Sequence, residues 1–223
     1  MKVGTDSILM GAWADVKCVN DILDIGTGTG VIALMVAQRT TTAHIDALEL
    51  DPQAAEQAAE NVARSPWLER IQVYPTAVQT FTPRPPKLYD LIISNPPFFA
   101  TGAGSPSPSA VRQQARHTDH LSHLDLITAA KRLLTANGRL ALILPAAQGA
   151  QFVKLAAAHG LFCTRQTHVR PLPHKAVHRW LIQLEWHPQP CVFDELTIEY
   201  EHHHYTEPFR TLVHPFYLHV SKP

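Results

Sequence analysis

The sequence is poor in cysteine. Among 223 residues there are three, Cys18, Cys163 and Cys191, far apart and in no C-x-x-C pair. That speaks against a disulfide framework and a cysteine-held zinc, and suggests buried thiols in a reducing cytoplasm. No apolar run approaches the ~20 residues that a membrane span needs, so an integral membrane protein is excluded. Residues 1–14 lack a basic stretch followed by an apolar one, so they do not read as a secretory signal. No internal repeat is visible. Net charge is also missing: 19 Lys and Arg stand against 19 Asp and Glu. What the chain has in quantity is apolar residues, 45% of the total, enough for a sizeable core and incompatible with disorder, collagen or a coiled coil.

The zero net charge hides a pattern. Residues 1–111 hold 7 basic and 11 acidic side chains, residues 112–179 hold 10 and 2, and residues 180–223 hold 2 and 6. The middle stretch also carries 7 of the 14 His. A nucleic-acid partner is betrayed by such local clustering rather than by the sum, although a few solvated basic helix faces would leave the same trace.

Apolar runs alternate with helical stretches along most of the chain. Asn20–Asp24 reads as a strand, Gly26–Gly30 (GTGTG) as a glycine turn and Val31–Gln38 as a helix, the opening βα unit of a doubly wound sheet. His44–Leu50 is a second strand, and Pro52 suits the first turn of an Ala-rich helix running to about Ala63. Arg70–Tyr74 and Tyr89–Ser94 are further strands, separated by a Pro-rich loop. Residues 101–109 form a loop rich in Gly, Ser and Pro. A helix is expected over His123–Thr135 with Asn137-Gly138 as its stop, then a strand over Arg139–Leu144 and a helix over Ala147–His159. Leu161–Val169 and Arg179–Trp186 add strands, and Leu196–Tyr200 with Phe216–Val220 a last pair. The expectation is a Rossmann-like α/β fold: a mostly parallel seven-stranded sheet with an antiparallel end and helices on both faces. In such sheets ligands bind beyond the carboxyl ends of the strands, where the three motifs below all fall.

Asp24-Ile25-Gly26-Thr27-Gly28-Thr29-Gly30 lets the backbone pass close to a ligand where a Cβ would clash. The dinucleotide fingerprint G-x-G-x-x-G would need a glycine where Val31 stands, which weakens the case for NAD. An aspartate before the turn suits a cationic group, and S-adenosylmethionine offers an ammonium and a sulfonium without a phosphate. A tight turn with no ligand is the bland alternative. Glu49, about 20 residues past the turn, fits the acidic residue that accepts both ribose hydroxyls. Asp51 competes with it but looks more like the cap of the following helix.

Asn95-Pro96-Pro97-Phe98 ends the fourth strand. Two prolines fix the backbone and remove two N–H donors, leaving carbonyls free to accept. Asn95 adds a side-chain carbonyl, and Phe98 can stack on a base. An exocyclic amine is a poor nucleophile because its lone pair is delocalised into the ring. Acceptors that grip its N–H groups favour the pyramidal, nucleophilic form, and positioning then carries much of the catalysis. A rigid loop that merely terminates the strand is the alternative.

DIGTGTG, ELD and NPPF in this order resemble class I S-adenosylmethionine-dependent methyltransferases that act on planar amino groups. The opening KVGTDSILMGAWA (Lys2–Ala14) narrows the resemblance to the bacterial tRNA(Val) adenine-N6 methyltransferase family. Gln114-Ala115-Arg116-His117, His174-Lys175-Ala176 and Tyr205-Thr206-Glu207 resemble it too, so nearly the whole chain is covered. NPPF alone is shared with rRNA guanine-N2 and protein glutamine methyltransferases. The resemblance implies methyl transfer from S-adenosylmethionine to the N6 amine of a tRNA adenine beside the anticodon. It implies that Asp24, Gly26, Thr27, Gly28 and Gly30 line the cofactor, that Glu49 holds its ribose with Leu50 beside it, and that Asn95, Pro96, Pro97 and Phe98 hold the adenine. Thr5 and Asp6 would close over the site. Relatives often carry an acidic residue after the third strand; here Thr76-Ala77-Val78-Gln79 has none, and a backbone contact at Ala77 or Val78 stands in.

One domain over residues 1–223 is expected. It comprises a cofactor-covering segment over 1–19 (lacking a short piece that precedes it in relatives), a substrate-side loop over 98–118 and a strand extension over 190–223. Arg112, Arg116, Arg170, Lys175 and Arg179 are the candidate phosphate contacts. His117, His120 and His123 have no Cys or carboxylate partner in view, so no metal is expected. A cytoplasmic monomer with tRNA as partner and no membrane association completes the expectation. An inactive RNA-binding module is the non-enzymatic alternative.

Overall fold

The computed structural model describes residues 4–97, 121–202 and 204–217. The chain begins with helix α1 (Thr5–Trp13) and enters the alternation β1 (Asp21–Ile25), α2 (Val31–Arg39), β2 (His44–Glu49) and α3 (Pro52–Ala63). A 3-10 turn (Leu68–Arg70) leads to β3 (Ile71–Pro75), followed by β4 (Tyr89–Ser94), α4 (His123–Leu133), β5 (Leu134–Pro145) and α5 (Ala146–Ala158). Strands β6 (Phe162–Arg170), β7 (Arg179–Glu185) and β8 (Val192–Thr197), the ribbon β9 (Glu199–Glu201) and β10 (His204–Tyr205), and helix α6 (Glu207–Val213) complete it. The strand order of the main sheet is β3-β2-β1-β4-β5-β7-β6-β8. The first five strands run parallel, β7 runs antiparallel to both neighbours, and β8 returns parallel to β6.

This is the expected Rossmann-like architecture with an antiparallel part. Strands β1–β4, β6 and β7 and helices α2, α3 and α5 start and stop within a residue of their expected bounds. Period-2 burial explains why. Leu91 and Ile93 of β4 with Ala141 and Ile143 of β5 face one apolar cluster, shared with α1, α2 and α6. Ile92, Leu140, Leu142 and Leu144 face another, shared with α4 and α5. Strands buried on both faces read as continuous apolar runs.

Four expectations are corrected. The main sheet has eight strands, not seven, because Val192–Thr197 pairs with β6 from Arg165↔Val192 to Arg170↔Thr197. The expected last strand at Phe216–Val220 is not seen at Phe216 and Tyr217, and its other residues lie outside those described. Helix α6 forms just before it instead, started by the Thr206 hydroxyl, which accepts the Phe209 amide. Helix α4 ends at Leu133 rather than Thr135, and residues 134–138 belong to β5 across a register break. Gly138 is therefore not a helix stop; a Cβ there would stand 2.9 Å from the Tyr89 carbonyl oxygen, so the close approach of β5 to β4 requires glycine. Finally, the thiols are not buried: Cys18 and Cys191 are exposed, Cys163 is half-buried, and the Cys163 and Cys191 sulfurs lie 3.5 Å apart.

Candidate active site

Adjacent, parallel β2, β1 and β4 bring their carboxyl ends side by side, and the motifs meet there. The backbone N–H groups of Gly26 and Thr27 both donate to the Leu48 carbonyl at 2.9 Å, which hangs the turn after β1 on the end of β2. Gly26, Gly28 and Gly30 take φ of +71°, +59° and +83°, a region that side chains other than glycine's disfavour. Apart from its chain neighbours, no heavy atom lies within 4 Å of a Cβ built on Gly26, so the space beside this glycine is open.

Asp24 is fully buried beneath this turn. The Thr27 hydroxyl donates to its Oδ2 at 2.5 Å, while Oδ1 is buried with no hydrogen-bond partner. Burial raises the carboxyl to about 7; the Thr27 hydroxyl and the Ala33 backbone pull it down, and the nearby Glu49 pushes it up again. Such an atom costs free energy unless something donates to it. Glu49, at the end of β2, is held at both oxygens: Gly28 N–H donates to Oε2 at 2.8 Å and Asp51 N–H to Oε1 at 3.0 Å. Each oxygen keeps a lone pair for a second donor. Asp51 caps α3 by accepting the Gln53 amide at 2.9 Å, as its place before Pro52 predicts. Beside Glu49, Leu50 is 44% exposed, an apolar surface at the site.

The end of β4 is tied to β1 by Ser94, whose hydroxyl donates to the Ile25 carbonyl at 2.8 Å. The next residue, Asn95, donates from Nδ2 to the Ser7 hydroxyl at 3.0 Å; its Oδ1 is buried and unpartnered. Pro96 is buried and Pro97 exposed. Sequence reasoning misses Ser7, since a serine in a helix carries no local mark of a partner 88 residues away. Thr5 and Asp6 stand in the same first turn of α1, and Asp6 pairs with Arg179 Nε at 2.8 Å. Ile8 through Trp13 are buried, so α1 is packed firmly onto the fold.

After β3 the carbonyl of Ala77 accepts the Thr80 and Phe81 amides, and that of Val78 accepts Arg132 Nη2 at 2.6 Å. Among the expected phosphate contacts, Arg170 Nη2 lies 2.9 Å from each carboxylate oxygen of Glu195 and Arg179 pairs with Asp6, whereas Lys175 is exposed. Phe98, Arg112, Arg116, His117 and His120 lie outside the described residues. Among the described residues no group of three or more His, Cys, Asp or Glu could hold a metal, and no helix is long and apolar enough to cross a membrane.

A cationic ligand with a ribose fits these groups: an unpartnered buried carboxylate oxygen, an aimed acidic side chain, an exposed apolar residue and open space beside a glycine of the turn. The Methyltransferase small domain family matches residues 4–166. A relative from Trichodesmium erythraeum, named tRNA1(Val) (adenine(37)-N6)-methyltransferase, is 47% identical over 98% of this chain and 91% of its own length. The chain belongs to the tRNA1(Val) (adenine(37)-N6)-methyltransferase family. A member from Parabacteroides distasonis is 44% identical over the same shares. The fold is also that of a solved Agrobacterium tumefaciens structure described as a predicted O-methyltransferase, with TM-score 0.72 and 21% identity over 94% of this chain and 96% of that one. Membership makes the chain an S-adenosylmethionine-dependent methyltransferase.

Proposed function

We propose that this enzyme methylates N6 of adenine 37 in tRNA1(Val), with Asn95 as the residue that grips the amine. The observation that carries the reading is Asn95 Oδ1, buried and unpartnered at the carboxyl end of β4, beside the cofactor turn. S-adenosylmethionine, when bound, supplies an electrophilic methyl group on a positively charged sulfur, and the amine's lone pair is what must reach it. Asn95 Oδ1 accepts one N–H of the adenine amine, which localises that lone pair on nitrogen. The Pro96-Pro97 backbone, unable to donate, offers carbonyls for the second N–H. Phe98 stacks on the base. No strong base is needed, because the methylated nitrogen is acidic and its proton leaves to water.

On the cofactor side, Asp24 Oδ1 would receive the ammonium group, Glu49 would accept the ribose hydroxyls, and Leu50 with the backbone at Ala77 or Val78 would hold the adenine. Thr5 borders the site. The target base must leave its stack, which is least costly in an anticodon loop. Lys175, Arg112 and Arg116 contact phosphates, with support from the basic excess over residues 112–179. A bacterial tRNA substrate puts the enzyme in the cytoplasm; a monomer without a metal is the form proposed for it.

Incubation of the purified chain with cofactor and tRNA from a strain lacking this enzyme, followed by nucleoside mass spectrometry, tests the substrate. N6-methyladenosine is the expected product; N2-methylguanosine would transfer the reading to the guanine-methylating relatives of the NPPF group. Asn95→Ala should lose turnover while cofactor binding, measured by calorimetry, is retained. Equal loss of both would make Asn95 structural.

A further inference from the structure

Asn95 can serve as an acceptor only if its amide points the right way. The two ends of a carboxamide are nearly the same shape, and a half-turn would present NH2 to the substrate's NH2, donor facing donor. Such a half-turned residue would repel the amine it has to hold. The side chain must also be held at the right place, and the element that holds it comes from outside the strand that carries Asn95.

We propose that Ser7 is the positioning residue of the methyl-transfer site: its hydroxyl holds the Asn95 side chain in one rotamer and so fixes the place from which Oδ1 meets the substrate amine. Asn95 Nδ2 donates to Ser7 Oγ at 3.0 Å, and Oδ1 is left as the end with no protein partner. The N–H given to Ser7 also polarises the amide, strengthening its oxygen as an acceptor. Ser7 itself is held firmly. Its amide donates to the Gly4 carbonyl at 3.1 Å, and the neighbouring Asp6 is pinned by Arg179, with side chains only 23% and 17% exposed. The buried run Ile8–Trp13 fixes the rest of the helix, and Trp13 Nε1 donates to Thr167 Oγ1 at 2.7 Å. Helix α1 is thus part of the catalytic machinery through one hydroxyl, in addition to any role as a cover over the cofactor.

This inference rests on Asn95 acting as the amine acceptor, and the experiment separates the two. Ser7→Ala, Ser7→Thr, Asn95→Ala and the double variant Ser7→Ala/Asn95→Ala are compared for kcat, KM for tRNA, cofactor affinity and Tm. Misplacing a reacting group by ~1 Å can cost about a hundredfold, so Ser7→Ala should lower kcat by roughly 10- to 100-fold. KM for tRNA, cofactor affinity and Tm should stay near the parent values. Ser7→Thr, which keeps the hydroxyl, should restore most of the rate. In the Asn95→Ala background, Ser7→Ala should cost nothing further, because residues that act as a unit are not additive. Additive losses, or a fall in cofactor affinity and Tm that parallels kcat, would overturn the positioning role. Full activity of Asn95→Ala would overturn the acceptor reading beneath it, whereas an inactive Asn95→Ala beside a fully active Ser7→Ala would overturn the Ser7 inference alone.

Discussion

Thr27 donates its hydroxyl to one oxygen of Asp24 and leaves the other buried with nothing to accept. Burial raises this carboxyl to about 7, and the Thr27 hydroxyl pulls against that rise.

A cofactor bearing a positive charge must bind the ionised form of Asp24. Its affinity should rise by about tenfold per pH unit on the way up to pH ~7 and level off above it, one proton being released on binding. The sign for stability is the reverse. The native carboxyl holds its proton up to about 7 and the unfolded one only to its ordinary value of 3.8, so between the two the native state binds more protons. The unliganded protein therefore loses this contribution as pH climbs from about 4 to 7. Asp24→Asn should flatten both dependences; calorimetry across the range, and Tm against pH for the two proteins, check it. A cofactor affinity that is flat below pH 7 in the parent would remove Asp24 from the cofactor's charged group.

Glu49 is aimed by two backbone N–H groups, and each remaining lone pair can take a ribose hydroxyl. Hydrogen bonds to a charged group are worth ~1.5–3 kcal/mol, so Glu49→Gln should weaken cofactor binding by about 10- to 100-fold. The turnover rate at saturating cofactor should change much less. If binding is unaltered, Glu49 does no more than close the turn at Gly28.

Tyr89 starts β4, at the opposite end of the strand from Asn95. It is fully buried, its hydroxyl donates to Asp46 Oδ2 at 2.5 Å, and Lys87 bridges Asp46 and Asp21 at 3.0 Å each. Tyr89→Phe should cost ~1–3 kcal/mol by leaving Asp46 short of a donor, seen as a drop of several degrees in Tm. Its kcat should match the parent's, because the change lies most of a strand length from the site. A fall in kcat without a fall in Tm would contradict that separation.

Cys163 and Cys191 bring their sulfurs to 3.5 Å across the start of β6 and the residue before β8. Burial, with Cys191 beside it, pushes the Cys163 thiol up to about 12, so the exposed Cys191 is the better attacking group. Mild oxidation with diamide should pair these two and leave Cys18 free, as a thiol titration falling from three to one will show. Cys191→Ser should abolish the loss. Retention of all three thiols would mean that the geometry around β8 resists closure.

The parts of this molecule that are legible in the sequence are those whose signal is local. The turn at Gly26–Gly30 and the strands around it carry their periodicity and their glycines on their face, and Asp51 followed by Pro52 is enough to mark the start of α3. Helix α1 does not read as a helix because Ile8–Trp13 are buried all round, which erases the amphipathic stripe. The first part of β8 escapes notice because Val192 through Glu195 are exposed on the sheet edge and show no inward face; its end, Leu196 and Thr197, falls in the expected strand Leu196–Tyr200, which the fold divides between β8 and β9. Arg170 and Arg179 are legible as basic residues, but the carboxylates they pair with, Glu195 and Asp6, are not, because each comes from a distant part of the chain. Ser7 is invisible for the same reason, since its meaning depends on what the fold brings to it.

The anchoring of α1 also sets an order of events. Its residues bond to groups that the ribosome adds 152 to 173 residues later: Trp13 to Arg165 and Thr167, Asp6 to Arg179. Contacts so distant in sequence form late, because the entropy of closing so long a loop is lost before the contacts compensate for it. A nascent chain that has emerged as far as β4 already carries its glycine turn and its Asn95, but not the strands that dock the helix bearing Ser7. Docking of α1 therefore waits for β6 and β7, and the Ser7 hydroxyl reaches its place beside Asn95 only after those strands have been made.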